Sequence, residues 1–203
     1  MSGFPTCLAL ATTNRGKLTE VAAILVPCGV QILAADTLVS GWQVVEDGAT
    51  FAENARRKAS DPARRAGIPA LADDSGLEVA ALGGRPGVRS ARYAGEGASD
   101  ADNVARLLDE LRDVPEAERG AAFHCAVALA WPDGRLVEAE GRCEGMIARR
   151  ARGSGGFGYD PVFIDAATGR SFAELPADAK NARSHRRRAI EALAKMLGAG
   201  AAT

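Results

Sequence analysis

Three features of the sequence predict an α/β or α+β architecture. Short apolar runs of strand length intermix with stretches of helical periodicity from one end of the chain to the other. Glycine- and proline-rich turns punctuate the changes between them. The 203 residues are 47% hydrophobic, enough to bury one sizeable core, and nothing in the length demands a second independent domain.

The elements follow in order. TCLALATTNRGKLTEVAAILVPCG opens with a run that suits a buried strand and turns at Thr12 to Gly16. It then places Leu18, Val21, Ala22 and Leu25 on one helical face, with Pro27 and Gly29 ending the helix. VQIL reads as a second strand, and Phe51 through Arg65 as a second helix entered through EDGAT. An apolar approach, IPALA, leads to Asp73 and Asp74, which are expected at a strand end before a Gly- and Pro-rich loop reaching Gly97. Ser99 or Asp100 can cap a helix carrying Val104, Leu107, Leu108 and Leu111 on one side. Ala121 to Trp131 and Leu136 to Ile147 suit paired strands joined at PDG. ARGSGGFGYDPVFI is a glycine-rich loop feeding a short strand, and a helix from about Asn181 to Leu197 precedes a disordered GAGAAT.

Charge and cysteine usage narrow the function classes. Lys and Arg total 25 against 26 Asp and Glu, so no net field draws the chain to nucleic acid or an anionic membrane. Cys7, Cys28, Cys125 and Cys143 form no CxxC pair or Cys/His metal spacing; they read as small core residues of a protein in a reducing cytoplasm. The apolar stretch Cys7 to Ala11 is too short for a signal-peptide core or a membrane span.

Chemistry gathers in four places. Thr12, Thr13, Asn14 and Lys17 lie where a strand gives way to a helix, and free N–H groups at a helix start can cradle an anionic phosphate chain. An ordinary capped helix with a solvated lysine has the same sequence, and no Walker A loop is present. Asp73-Asp74-Ser75-Gly76 juxtaposes two carboxylates whose repulsion calls for a cation, and hard oxygen ligands suit Mg²⁺. Glu46, Asp47 and Glu53 offer further carboxylates. Gly153 to Asp160 lets a ligand approach the backbone closely, and Phe157 can stack on a purine. Lys180, Arg183, His185, Arg186, Arg187 and Arg188 supply donors, or else a solvated basic face.

The segments TTNRGKLTE, FAENARRKA, ADDSGLEVAALGGRPGVRSARYAG, FHCAVALA, GSGGFGYDPVF and SHRRRA occur in the order and spacing of the inosine/xanthosine triphosphate pyrophosphatases, the Ham1-like family. The chain resembles that family from about Leu8 to Leu197, as one pyrophosphatase domain within residues 1–203. The resemblance implies an elongated α/β fold with a long mixed sheet flanked by helices, two lobes, a central active-site cleft and a cytoplasmic homodimer. It implies hydrolysis of ITP, dITP and XTP to monophosphate and pyrophosphate with Mg²⁺ as cofactor, and neither a stable nucleic-acid partner nor a membrane.

Carried over by position, Thr12, Thr13, Asn14, Arg15, Gly16 and Lys17 would bind the triphosphate, Arg15 through its backbone. Asp74 would be general base and metal ligand, Asp73 its support, Ser75 a substrate contact and Lys58 an aid at the phosphates. Lys17, with Mg²⁺, would take the charge that develops as water attacks the α-phosphorus. Phe157, Gly158, Tyr159 and Asp160 would hold base and ribose, and Lys180, His185 and Arg186 would complete the purine pocket. Val45 stands where the family often has a metal-binding glutamate, so either Glu46, one residue later, reaches the metal after a small shift of the loop, or the ion relies on Asp74 and water. Two rivals are a house-cleaning enzyme for modified pyrimidine nucleotides and a non-catalytic nucleotide or RNA binder using Phe157 and the basic C-terminal helix. Paired acids beside a polyanion argue against a pure binder.

Overall fold

A computed structural model describes residues 3–43 and 46–200, so Val45 lies outside the described residues. The strands are β1 (Cys7–Leu10), β2 (Gln31–Ala34), β3 (Ala70–Val79), β4 (Gly120–Ala130), β5 (Leu136–Ile147) and β6 (Phe163–Asp165). The helices are α1 (Arg15–Leu25), α2 (Ala35–Leu38), α3 (Phe51–Ala66), α4 (Asp100–Glu110), α5 (Ala177–Asn181) and α6 (His185–Gly200). The strands form one six-stranded sheet in the order β2-β1-β3-β4-β5-β6. β1 pairs in parallel with β2 and β3, whereas β5 and β6 are antiparallel, so the sheet is mixed as expected.

The chain divides into two compact units. The first comprises residues 1–74, 125–141 and 185–203, and the second residues 75–124 and 142–184. Each has its own core. In the first, Leu8, Leu10 and Leu71 of the sheet are buried with Val21 and Ile24 of α1 and Ile190 and Leu193 of α6. The side chains of Trp131 and Val137 pack at its margin, and Gly134 closes the β4–β5 turn by donating to the Trp131 carbonyl at 3.0 Å. In the second unit, Leu77, Val79, Leu107 and Leu111 join an aromatic group in which the rings of Phe123, Phe163 and Phe172 lie 4.5–5.9 Å apart.

Local chemistry accounts for the element ends. Asn14 accepts from the Lys17 N–H at 3.1 Å and starts α1, and Thr50 accepts from Glu53 at the start of α3. Ser99 caps α4, with Asp102 reaching back to the Ser99 N–H.

Four expectations are corrected. β3 does not stop at the aspartates but continues through them to Val79, because Ser90 and the 85–86 loop take up its later backbone groups. The C-terminal helix begins at His185, after the separate α5 has ended in a turn where Ser184 N–H donates to Asn181. That helix also runs through Gly200, into the stretch expected to be disordered. Cys125 and Cys143 are buried as expected, but Cys28 is exposed and Cys7 only half-buried.

Candidate active site

Successive residues of a strand point to opposite faces of the sheet. Asp73 and Asp74 therefore serve two different environments, both within the first unit. Asp73 meets α1 and α6: its Oδ2 accepts from Arg186 Nε at 3.1 Å and Nη2 at 2.9 Å, and Lys17 Nζ lies 3.2 Å away. Arg186 also pairs with Glu20 of α1, and the Arg186 and Asp73 side chains are each 1% exposed. Burial works against the Asp73 carboxylate, but Arg186, Lys17 and Lys58 outweigh it and hold Asp73 well below the usual carboxylate range. The same pairing raises the Arg186 pKa against the effect of burial. Burial pushes up the neighbouring Cys125 thiol, and Asp73 adds to the effect.

Asp74 meets α3. Its Oδ1 accepts from Lys58 Nζ at 2.7 Å and its Oδ2 from Asn54 Nδ2 at 2.9 Å. Lys58 Nζ lies 2.6 Å from Glu46 Oε1, so the two carboxylates expected to hold a metal converge on one ammonium. Burial opposes the Lys58 charge, but Asp74, then Glu46 and Asp73, raise its pKa. The cation demanded by adjacent carboxylates is thus present in the protein: Arg186 and Lys17 for Asp73, Lys58 for Asp74. Among the described residues no group of three or more His, Cys, Asp or Glu side chains forms a ready metal cage.

Ahead of α1, Thr12 accepts from the Asn14 N–H at 3.2 Å, while Thr13 and Arg15 are exposed and Gly16 is half-buried. The first turn of α1 holds no acidic side chain of its own to compete for its N–H groups. Lys17 rises from that turn, its ammonium steadied by Asp73.

The second unit assembles the expected base-binding segment. Asp160 accepts from the Phe157 N–H at 2.8 Å and pairs with Lys180, whose ammonium lies 4.7 Å from the centre of the Phe157 ring. Gly156 has φ +72°, and a Cβ there would strike the Asp160 carboxylate. Gly158 N–H donates to Asp100 at 2.7 Å. Tyr159 is buried with its hydroxyl donating to the Ser90 carbonyl at 2.8 Å, so it braces the loop from within. Ser75 is half-buried in β3. His185 opens α6 in the first unit and is buried, and Arg186 spends its guanidinium on Asp73 and Glu20.

A model of the Ham1 family matches residues 8–196. The chain belongs to the Ham1 family. Among its relatives, a dITP/XTP pyrophosphatase of Geobacter sulfurreducens is 52% identical over 193 residues, 95% of this chain and 97% of the relative. A dITP/XTP pyrophosphatase of Desulforamulus reducens is 50% identical, with 94% of each chain covered. The solved structure of a Ham1 protein from Coxiella burnetii superposes with a TM-score of 0.84 at 41% identity, covering 95% of this chain and 98% of that one. The Staphylococcus aureus Ham1 protein gives 0.84 at 36% identity, covering 96% and 99%.

Reading the sequence missed Asn54 and Glu20. Both are polar residues on a buried helix face: Asn54 with Phe51, Ala55, Lys58 and Ala59 on α3, Glu20 with Val21 and Ile24 on α1. A polar residue in a core stripe needs a partner, and that signal was available.

Proposed function

We propose that the chain hydrolyses non-canonical purine nucleoside triphosphates, ITP, dITP and XTP, to the nucleoside monophosphate and pyrophosphate. The observation that carries this reading is the unlike treatment of the two aspartates. Asp73 is neutralised by a guanidinium and an ammonium and is a poor proton acceptor, whereas Asp74 shares its one cation with Glu46. Asp74 accepts the proton of a water as its oxygen bonds to the α-phosphorus, the α–β anhydride bond breaks, and pyrophosphate leaves with the bridging oxygen. Lys17, held by Asp73, faces the charge of the leaving group, and the first turn of α1 binds phosphate oxygens. Phe157 stacks on the base beside Lys180 and Asp160. Rejection of ATP would follow if buried donors set for a 6-keto oxygen are left unpaired by a 6-amino group.

The donor set fits Mg²⁺: Asp74 and Glu46 are hard oxygen ligands that already meet at one cation, 2.7 and 2.6 Å from Lys58 Nζ. Bound there, the ion would supply charge neutralisation at the phosphates. The chain would work as a homodimer in the cytoplasm; its four cysteines, none joined in a disulfide, suit a reducing compartment, and no described helix is long and apolar enough to cross a membrane.

Pyrophosphate release from XTP, dITP, ATP, GTP and a modified pyrimidine nucleoside triphosphate, with Mg²⁺ and then with a chelator, tests the reading. Mg²⁺-dependent release from XTP and dITP with little from ATP or GTP supports it, and orthophosphate release or preference for a modified pyrimidine nucleotide overturns it.

A further inference from the structure

We infer that Asn54 is a positioning residue that ties the loop carrying Glu46 to the Asp74 carboxylate. The inference rests on the proposed role of Asp74 as general base. Asn54 is 1% exposed and its carboxamide is used at both ends. Nδ2 donates to Asp74 Oδ2 at 2.9 Å, while Oδ1 accepts from the Gly48 N–H at 2.9 Å. The amide cannot rotate by half a turn without presenting a donor to a donor and an acceptor to a carboxylate, so the two bonds fix each other. Asp74 is thereby clamped between Asn54 on one oxygen and Lys58 on the other, and both clamps come from one face of α3, four residues apart.

The loop is held equally closely. A Cβ on Gly48 would lie 2.6 Å from Asn54 Oδ1 and 3.0 Å from the Glu53 Cβ, so only glycine lets the loop backbone reach the amide. Glu53 takes the next N–H, that of Ala49, at 2.8 Å. Glu46, two residues before Gly48, meets the same Lys58 ammonium as Asp74. Asn54 therefore sets the distance between the base and the glutamate through a neutral hydrogen-bond relay, adding no charge beside Asp74.

Three variants test it. Asn54→Ala removes both bonds, Asn54→Asp keeps the acceptor for Gly48 but loses the donor to Asp74, and Gly48→Ala displaces the amide while leaving every polar group in place. A misplaced base loses turnover rather than affinity, so each variant should lower kcat about 10- to 100-fold with KM changed less than about threefold. Hydrogen exchange at the Gly48 amide supplies a readout independent of activity: protection should vanish in Asn54→Ala and persist in Asn54→Asp. Wild-type kcat in the folded variants, loss in KM alone, or unchanged Gly48 protection in Asn54→Ala would overturn the inference. Should Asn54→Ala not fold, Asn54→Asp and Gly48→Ala decide by the kcat and KM criterion. Inactivity of the wild-type enzyme on every triphosphate would instead sink the reading of Asp74, which separates the two failures.

Discussion

Replacing Arg186 with methionine, of similar length and without charge, tests how the Asp73 environment is built. The guanidinium gives Asp73 two hydrogen bonds, at 3.1 and 2.9 Å, and also pairs with Glu20. Without it, Asp73 and Glu20 remain in the core, with the Lys17 ammonium still 3.2 Å from Asp73. Breaking a buried ion pair by removing one partner costs about 3–5 kcal/mol. For a chain of this size each kcal/mol moves Tm by about 2–4 °C, so a fall of about 6–20 °C is expected. The sign of the pH dependence follows from the lowered Asp73 pKa. In the wild type the Asp73 contribution is fully present above the ordinary value of 3.8 and is lost as pH falls through the lower folded value. Removing Arg186 removes the strongest lowering influence and leaves burial, which raises the pKa, opposed by Lys17 and Lys58 alone among the named charges, so the Asp73 pKa rises from its wild-type position. The variant is then penalised at neutral pH and recovers relative to wild type as Asp73 becomes protonated. Calorimetry from pH 7 to pH 4 should show the gap in Tm narrowing, and adding Asp73→Asn to Arg186→Met should restore part of the loss at pH 7. A loss of under about 1 kcal/mol at pH 7 would refute the reasoning, because a buried carboxylate cannot lose its main partner so cheaply.

Two further outcomes follow from the packing. A Cβ on Gly141 would fall against the His185 carbonyl and the Ala189 nitrogen at the start of α6, so Gly141→Ala should destabilise the fold by about 1–3 kcal/mol in urea unfolding. An unchanged midpoint would mean that the helix does not rest on the β5 backbone there. The two tyrosines, Tyr93 and Tyr159, should stay protonated well above the free phenol value of 10.0 in an ultraviolet titration. Burial, then Glu110, pushes Tyr93 up to about 12, and burial raises Tyr159 as well; half-ionisation near pH 10 in the native protein would contradict both environments.

Much of the fold was legible because periodicity and chain punctuation agree. The helix read from Phe51 through Arg65 and the hairpin at PDG match α3 and β4–β5 closely, since apolar stripes and turn residues coincide there. The end of β3 was misread because two aspartates look like a turn, whereas their partners come from residues 17, 54, 58 and 186, far away in sequence. The start of α6 was misread for a similar reason: the basic run is continuous, but Lys180 belongs to Asp160 in the second unit and Arg186 to Asp73 in the first. The candidate site was legible as residue types in a recognised order. The assignment of Asp74 rather than Asp73 as the proposed base came from the resemblance and not from the residues themselves, because which aspartate is neutralised depends on the cation each one meets.

Attack of water on the α-phosphorus of a deaminated purine triphosphate is decided by hydrolysis of XTP in ¹⁸O-water. Label should appear in the nucleoside monophosphate and not in pyrophosphate, with no orthophosphate and little turnover of ATP under the same conditions. Label in pyrophosphate or orthophosphate, or equal turnover of ATP, would contradict it.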